Sequence, residues 1–416
     1  MKPSFLFLIF LTLPFFLYAQ ETPKRVQAIS PLKQDPDTNL NVSQIIRRHG
    51  YPCTEVDVVT EDGYILTMQH VPYGKNNPLR DPKEKRPPVL LQHGLLDSSF
   101  TWWSNYPHES LGYILADAGY DVWTSNVRGN VMGLRHKTLT PKDHKFWEFT
   151  FDEMQIYDLP ANIDFVRKFT GFQKIGYVGH SQGGCIMLAH LSSKPELKEK
   201  LTTFVGLGAA SYEGNQHCVF INLLNDLKLP FFLELFGQNN FMPDTDIIKI
   251  IAKSLCADDP IVCEDFIFLV VGANPGSLNQ TRLPVFLTHT PAGTSTRNIQ
   301  HWCQEVKSGH FQMYDYGSDF ENWVHYNQTS PPIYDPSKIE GPSLNLYFGS
   351  VDLLVDEVDF KHLKSDLNPD LIESWEVITG YDHLDYVWNV NAHKYLYKKV
   401  VADLNRHISF EPIKEK

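Results

Sequence analysis

Short apolar runs of β-forming residues alternate along this chain with segments whose apolar residues recur at helical spacing. The first two runs, residues 56–60 and 64–68, flank Asp62-Gly63, a pair that is typical of a β-hairpin turn. Strands are predicted over residues 56–60, 64–68, 88–92, 120–124, 174–178, 203–207, 344–349 and 374–378. Helices are predicted over residues 111–118, 158–169, 184–191 and 391–408. Strands that alternate with helices indicate an α/β fold with a mostly parallel sheet and helices on both faces.

This alternation stops between residues 212 and 336, which are rich in Leu, Phe, Pro and Asn. Residues 231–236 and 266–271 are almost entirely apolar there. The segment is either a cap inserted over the sheet or an independent second domain. Because the β/α pattern resumes afterwards, insertion is favoured. We therefore predict an α/β core in two parts, residues 20–211 and 337–416, with an inserted cap over residues 212–336.

The N-terminus has the features of a secretory signal peptide over residues 1–19. A basic start at Lys2 precedes apolar residues 5–11 and 13–19, and cleavage is expected near Ala19. The run is too short, and too interrupted by Thr12 and Pro14, for a membrane span. No later apolar segment is long enough to span a membrane, so the mature chain is predicted to have no transmembrane segment. The signal peptide predicts that the chain enters the secretory pathway.

Secretion changes how cysteines and asparagines are interpreted. Six cysteines are too few for a dense disulfide scaffold, and Cys256 and Cys263, separated by a turn, are the best disulfide candidate. Glycosylation sequons occur at Asn41, Asn279 and Asn327.

Charge and composition exclude some function classes. The formal net charge of -12 disfavours nucleic acid as a partner, because phosphates require a basic surface. No Cys/His cluster has zinc-finger spacing, and neither a metal nor a cofactor is predicted. An apolar fraction of 42% is enough for a sizeable core.

The sequence Gly179-His180-Ser181-Gln182-Gly183 carries the clearest chemistry. It matches G-x-S-x-G and lies between a predicted strand and a predicted helix, the context in which this motif forms a nucleophile elbow. Ser181 is therefore the candidate nucleophile.

A serine nucleophile needs a base, an acid that orients the base, and an oxyanion hole. Asp352 follows one late strand and His383 follows the next, in the order Ser, Asp, His. Asp356, Asp359 and Asp385 are competing candidates for the acid. The backbone N–H groups of Gln182 and of Leu95, after His93-Gly94, are the candidate oxyanion donors; alternatively, His93-Gly94 marks an ordinary turn.

Several longer segments resemble the acid lipase family of animal α/β hydrolases, which includes gastric and lysosomal acid lipases, and the resemblance covers nearly the whole mature chain. The segments that carry it are 48–52, 61–64, 91–96, 126–130, 135–137, 146–147, 151–154, 157–160, 179–183, 301–302, 306–309, 314–317 and 383–388. Ser181, Asp352 and His383 match the family triad, and Leu95 and Gln182 match its oxyanion donors. Asp97 and Gly184 depart from the pattern, since better-known members carry a small or uncharged residue and a threonine there.

The resemblance implies a serine lipase that hydrolyses triacylglycerols or cholesteryl esters at a lipid–water interface, often at acidic pH. It also implies a mobile lid in the cap, no metal, and a lysosomal or extracellular location. Two alternatives are an esterase or thioesterase acting on small soluble acyl esters, and a non-enzymatic lipid carrier. The presence of all three triad residues disfavours the carrier.

Overall fold

The computed structural model describes residues 35–81, 83–242, 267 and 271–408. The predicted signal peptide and the Cys256/Cys263 pair lie outside these residues, and the predicted cap and lid segment is described only in part.

A nine-stranded sheet forms the centre of the molecule, with strand order β1-β2-β4-β3-β6-β7-β10-β11 and with β5 paired to β2. Its strands are β1 (Thr54–Val59), β2 (Tyr64–Val71), β3 (Pro88–Gln92), β4 (Asp121–Ser125), β5 (Arg135–His136), β6 (Ile175–His180), β7 (Leu201–Leu207), β10 (Ser343–Gly349) and β11 (Ile372–Ile378). The pairs that involve β1, β2 or β5 are antiparallel, and all others are parallel. The predicted hairpin and the mostly parallel α/β sheet are confirmed.

Helices cover both faces of this sheet, and others lie in the segment between β7 and β10. They are α1 (Val42–Arg48), α2 (Leu111–Asp117), α3 (Phe151–Glu153), α4 (Leu159–Thr170), α5 (Gln182–Ser193), α6 (Val219–Asp226), α7 (Leu229–Leu235), α8 (Leu283–His289), α9 (Thr296–Ser308), α10 (Asp319–Tyr326), α11 (Glu357–Asp366), α12 (Asp385–Trp388) and α13 (Ala392–Arg406). Neighbouring strand residues point to opposite faces. Accordingly, Leu90 packs in a core with α4 and α5, whereas Val89 and Leu91 pack in a second core with α2 and α13.

The structure differs from the predicted helix over 158–169 at its start. Helical backbone already begins at α3 and runs through a π turn over Met154–Asp158 before α4. The earlier start has a local cause: the Thr150 hydroxyl accepts the backbone N–H of Asp152, while the Glu153 carboxylate accepts that of Thr150. This capping box is a helix-starting motif that the apolar spacing does not report.

The described residues between β7 and β10 add no strand to the main sheet. They form helices α6 to α10 and a separate two-stranded sheet of β8 (Asn240–Phe241) and β9 (Thr294–Ser295). The chain then returns to the main sheet, where β10 pairs directly with β7.

Candidate active site

Ser181 occupies a sharp turn between β6 and α5. Its backbone has φ 52° and ψ -119°, a region that costs a non-glycine residue about 1–3 kcal/mol. The neighbouring glycines make the turn possible. A Cβ on Gly179 would lie 2.6 Å from the carbonyl oxygen of Gly183, and one on Gly183 would lie 2.8 Å from that of His93. The strand and the helix can therefore meet only if both positions lack a side chain.

Ser181, His383 and Asp352 form a continuous chain of hydrogen bonds. The Oγ of Ser181 lies 2.7 Å from Nε2 of His383, and Nδ1 of His383 lies 2.9 Å from Oδ2 of Asp352. Asp352 follows β10 and His383 follows β11, so the carboxyl ends of parallel strands bring them to one edge of the sheet. Ser181 is only 8% exposed, and the other two side chains are also buried.

Neighbouring groups fix the orientation of this chain. Oδ1 of Asp352 accepts the backbone N–H groups of Leu354 at 2.9 Å and Val355 at 3.0 Å. Nε2 of His180 donates to the carbonyl oxygen of His383 at 2.9 Å. Burial, followed by the nearby His383, lowers the pKa of His180 to about 3. His180 therefore stays neutral and acts as a structural donor beside the imidazole of His383.

The three competing carboxylates have other partners. Asp356 accepts the backbone N–H of Val358 at the start of α11, and Asp359 accepts the backbone and side-chain N–H groups of Asn215. Asp385 accepts the backbone N–H of Asp382 and the side chain of Asn274. None of the three contacts His383, so the geometry leaves Asp352 as the candidate acid.

The two candidate oxyanion donors belong to segments that adjoin Ser181. A Cβ on Gly94 would lie 3.0 Å from Cβ of Ser181, so the loop that carries Leu95 passes directly beside the serine. Gln182 is the first residue of α5, where backbone N–H groups have no partner within the helix. Among the described residues, neither the N–H of Leu95 nor that of Gln182 donates to a protein acceptor. Both are free to stabilise a negative oxygen.

Sequence reasoning missed a contact between α9 and the elbow. Oε1 of Gln182 accepts Nδ2 of Asn298 at 2.9 Å and Nε1 of Trp302 at 2.9 Å. Asn298 and Trp302 are four residues apart, so they lie on one face of α9. The spacing of these two donors was the available signal, but nothing in the sequence indicated their acceptor, which is 116 residues from Asn298 and 120 from Trp302.

An apolar wall stands next to the serine. Leu95, Leu96 and Leu354 pack against a buried cluster from the segment between β7 and β10. Its members are Cys218, Ile221, Leu224, Phe241, Ile299 and Cys303. The surroundings of Ser181 therefore suit an apolar acyl chain.

Asp97 is a buried carboxyl beside the oxyanion loop. It accepts the backbone N–H of Ser98 at 2.7 Å and lies 3.5 Å from the hydroxyl of Thr290. Burial raises the pKa of Asp97 to about 7, although these hydrogen bonds act in the opposite direction. Asp97 is consequently uncharged in acid and ionises as the pH approaches neutrality.

The presence of glycine rather than threonine at position 184 has a steric explanation. A Cβ at this position would lie 2.8 Å from Cα of Ala209 and still closer to its Cβ. Threonine does not fit here without displacement of Ala209, so glycine at 184 accompanies the close packing of α5 on the residues after β7.

The predicted glycosylation sites lie at the surface to different degrees. Asn41 and Asn327 are exposed, at the start of α1 and the end of α10, and Asn279 is half-buried.

Within the described ranges no helix is both long and apolar enough to cross a bilayer. The same ranges contain no cluster of three or more His, Cys, Asp or Glu side chains suited to a metal ion.

Comparison with known proteins identifies the class first. Residues 42–106 match the model of a partial alpha/beta-hydrolase lipase region, and residues 87–239 match that of the alpha/beta hydrolase fold. A soluble variant of monoglyceride lipase from Saccharomyces cerevisiae shares the fold, with a TM-score of 0.52 and 16% identity over 86% of this chain and 99% of that chain. The protein is an α/β hydrolase.

Its sequence relatives identify the family. The chain is 42% identical to gastric triacylglycerol lipase of Homo sapiens over 88% of its length and 91% of the relative's. It is 38% identical to human lysosomal acid lipase/cholesteryl ester hydrolase, over 98% of this chain and 100% of that protein, and 40% identical to lipase lipl-1 of Caenorhabditis elegans, over 88% and 92%. The chain belongs to the family of gastric and lysosomal acid lipases and is a carboxylic ester hydrolase.

Replacing Asp97 by Asn tests the buried carboxyl. The pKa of Asp97 is raised from about 4 in the unfolded chain to about 7 in the folded protein. Its stabilising contribution is therefore present in acid and lost as the pH rises through 7. Because Asn cannot ionise, we expect Asp97→Asn to gain stability over wild type by up to about 1.4 kcal/mol per pH unit between pH 4 and 7.

Urea unfolding at pH 4, 6 and 8 measures this difference. Asp370→Asn, at an exposed carboxyl, is the control and should differ from wild type by less than about 0.5 kcal/mol at every pH. A stability difference between Asp97→Asn and wild type that does not change with pH would contradict the assignment.

Proposed function

We propose that this chain is a serine lipase that hydrolyses triacylglycerols, cholesteryl esters or both, at acidic pH, through an acyl-enzyme on Ser181. One observation carries the proposal: the hydrogen-bonded chain from Ser181 through His383 to Asp352 lies beside a buried apolar wall. Ester hydrolysis accounts for the hydrogen bonds, and a lipid acyl chain accounts for the apolar wall.

In the proposed reaction, Oγ of Ser181 attacks the ester carbonyl carbon while Nε2 of His383 takes its proton. The carbonyl oxygen becomes negative and accepts the N–H groups of Leu95 and Gln182. Asp352 holds Nδ1 of His383 and stabilises the imidazolium. When the carbon–oxygen bond to the alcohol breaks, His383 returns the proton to that alcohol and leaves an acyl group on Ser181. A water molecule then attacks the acyl-enzyme by the same steps and releases the fatty acid.

A lipid substrate is favoured by the two apolar faces of α6 and α7. Their inner residues, including Ile221 and Leu224, belong to the apolar wall. Their outer residues form an exposed apolar surface, here called the outer cap face: Val219, Leu223, Leu227, Phe231, Phe232, Leu235 and Phe236. An exposed apolar surface of this kind marks a contact with a membrane, a lipid or a protein. In this proposal the segment 212–336 is the cap with its lid, and the outer cap face meets the lipid–water interface.

Operation in acid is supported by several buried carboxyls. Burial raises the pKa of Asp97 and Asp152 to about 7, and that of Glu213 well above its usual range. For each of these groups the folded-state pKa lies above the unfolded value, so its contribution to stability is present in acid and lost as the pH rises. His383 must be unprotonated to accept the serine proton.

The cellular setting is proposed from the predicted signal peptide over residues 1–19 together with relatives named gastric and lysosomal. We propose that the protein follows the secretory pathway to the lysosomal lumen or the extracellular space. Glycans on Asn41, Asn279 and Asn327 and a Cys256–Cys263 disulfide fit those compartments and stay predictions. The proposed reaction uses no cofactor or metal.

The test of this function is hydrolysis of emulsified long-chain triacylglycerol from about pH 4 to about pH 8, the range in which a histidine base titrates. We expect activity in the wild type, highest at acidic pH, and none in Ser181→Ala. Cleavage of soluble short esters without cleavage of the emulsion would favour the esterase alternative. Equal rates in wild type and Ser181→Ala would exclude Ser181 as the nucleophile.

The assignment of Asp352 as the acid of the proposed triad has its own test. Asp352→Asn should lower kcat on a soluble ester by roughly 10³–10⁴-fold, because His383 loses the partner that sets its tautomer and stabilises its charge. Asp356→Asn is the matched control, four residues along the same loop and without contact to His383, and should stay within about threefold of wild type. Circular dichroism verifies that both variants are folded. If Asp356→Asn were the slower enzyme, the proposed triad would be wrong.

A further inference from the structure

The loop after β3 carries Leu95, one of the two candidate oxyanion donors. Residues 93–98 of this loop belong to no strand or helix. Leu96 has φ 58°, a left-handed conformation that costs a non-glycine residue free energy and persists only where its surroundings fix it. An oxyanion donor is effective only within about 2.7–3.1 Å of the oxygen on which charge develops. The loop therefore needs contacts that hold its shape.

The side chain of Asn130 supplies such contacts to both ends of the loop. Its Nδ2 lies 3.1 Å from Nε2 of His93 and 3.2 Å from the carbonyl oxygen of Asp97. These two residues lie two positions before and two positions after Leu95. Oδ1 of Asn130 accepts the backbone N–H of Met132 at 3.0 Å, which fixes the direction of this buried amide. The two contacts of Nδ2 with the loop are here called the Asn130 clamp.

Neighbouring contacts extend the clamp without replacing it. Oδ1 of Asn126 lies 2.9 Å from Nδ2 of Asn130 and accepts the backbone N–H of Ser99 at 2.9 Å. On another side of the loop, the backbone N–H of Ala292 donates to the carbonyl oxygen of Leu96 at 2.6 Å. Loss of the Asn130 amide would remove the donor from buried acceptors but leave the contact of Ala292 in place. The loop should then loosen while the surrounding fold persists.

The hydrogen bonds assign the tautomer of His93. Its Nδ1 lies 2.7 Å from the carbonyl oxygen of Gly94, which can only accept, so the ring hydrogen is on Nδ1 and Nε2 accepts Nδ2 of Asn130. Burial lowers the pKa of His93 to about 4, although the bond to Gly94 acts in the opposite direction. The titratable groups beside it are His180, whose pKa burial lowers to about 3, and Asp97, which is uncharged in acid. Above its pKa, His93 is neutral and completes the clamp.

We propose that Asn130 is a positioning residue for ester hydrolysis, whose side-chain amide clamps His93 and Asp97 and so holds the N–H of Leu95 where the oxyanion forms. This proposal rests on the proposed serine lipase function. The substrate oxygen becomes negative only as the transition state is approached, so a misaligned donor lowers kcat and leaves KM little changed.

The test compares Asn130→Ala with a matched control, Asn345→Ala, on a soluble short ester at about pH 6, where His93 is neutral. Asn345 is also buried, and its amide donates to Oγ1 of Thr203 at 2.9 Å and accepts Nη2 of Arg406 at 2.8 Å. It lies in the first half of β10, whereas the triad lies beyond the carboxyl ends of the strands. The control therefore removes a buried amide of similar bonding without touching the oxyanion loop.

We expect Asn130→Ala to lower kcat at least about tenfold with KM within about twofold of wild type, because a displacement of about 1 Å can cost 10²-fold in rate. Asn345→Ala should keep kcat within about twofold of wild type. Asn130→Ser, whose hydroxyl retains one donor, should fall between wild type and Asn130→Ala, and it carries the test if the alanine variant does not fold. Circular dichroism verifies the fold of each variant.

A pH series distinguishes the clamp from a general loss of packing. In acid both ring nitrogens of His93 carry hydrogen, so Nε2 no longer accepts Asn130 and the wild type loses that half of the clamp. The wild-type kcat divided by the Asn130→Ala kcat should therefore shrink at least about threefold from about pH 6 to about pH 3.5. Titration of His383 affects both enzymes and cancels in this ratio.

The outcomes separate this inference from the proposed function. An unchanged kcat in the Asn130 variants, an equal loss in Asn345→Ala, an effect on KM alone, or a ratio that does not vary with pH would each overturn the clamp while the wild type remains active. Failure of the wild type to cleave either soluble or emulsified esters would instead refute the proposed function, and the catalytic part of the clamp with it.

Discussion

The backbone of Ser181 is held in a strained conformation by the close meeting of β6 and α5. The turn exists because Gly179 and Gly183 leave room for backbone atoms where a Cβ would collide, and Gly94 lets the neighbouring loop pass close to the side chain of Ser181. With the serine in this position, its hydroxyl lies 2.7 Å from Nε2 of His383. The strained turn of Ser181 follows β6, and the loops after β10 and β11 carry Asp352 and His383. The site therefore depends on the register of the parallel strands.

A second dependence links the elbow to the segment above it. Gln182, the residue after Ser181, binds Asn298 and Trp302 of α9 through its side chain, while its backbone N–H is a proposed oxyanion donor. The helix α9 also contacts α7 through Gln300 and Glu234. The outer cap face is thereby connected to the turn at Ser181 through one helix.

Local patterns predicted much of the fold. The predicted strands, the hairpin about Gly63 and the C-terminal helix follow from spacing that is visible within ten to twenty residues, and their ends differ from prediction by at most three residues. The π turn over Met154–Asp158 was missed because a capping box, which apolar spacing does not report, starts the helix earlier. The G-x-S-x-G motif likewise identified the candidate serine from a single short segment.

Long-range contacts account for what the sequence could not predict. The sequence favoured Asp352 as the acid but left Asp356, Asp359 and Asp385 as competitors, and only the folded chain shows which of them contacts His383. The buried state of Asp97 depends on packing against residues distant in sequence, such as Thr290. A pattern of spacing says which residues share a face, and tertiary contacts decide whether that face is buried.

Covalent trapping tests directly whether Ser181 is the nucleophile. A long-chain alkyl phosphonate with a p-nitrophenyl leaving group should react with the wild-type enzyme, and mass spectrometry of the digested protein should locate the adduct. The account predicts one phosphonyl group per chain, on Ser181, formed in step with the loss of esterase activity and absent from His383→Ala. Complete inactivation with the adduct on another residue, or with no adduct, would contradict it.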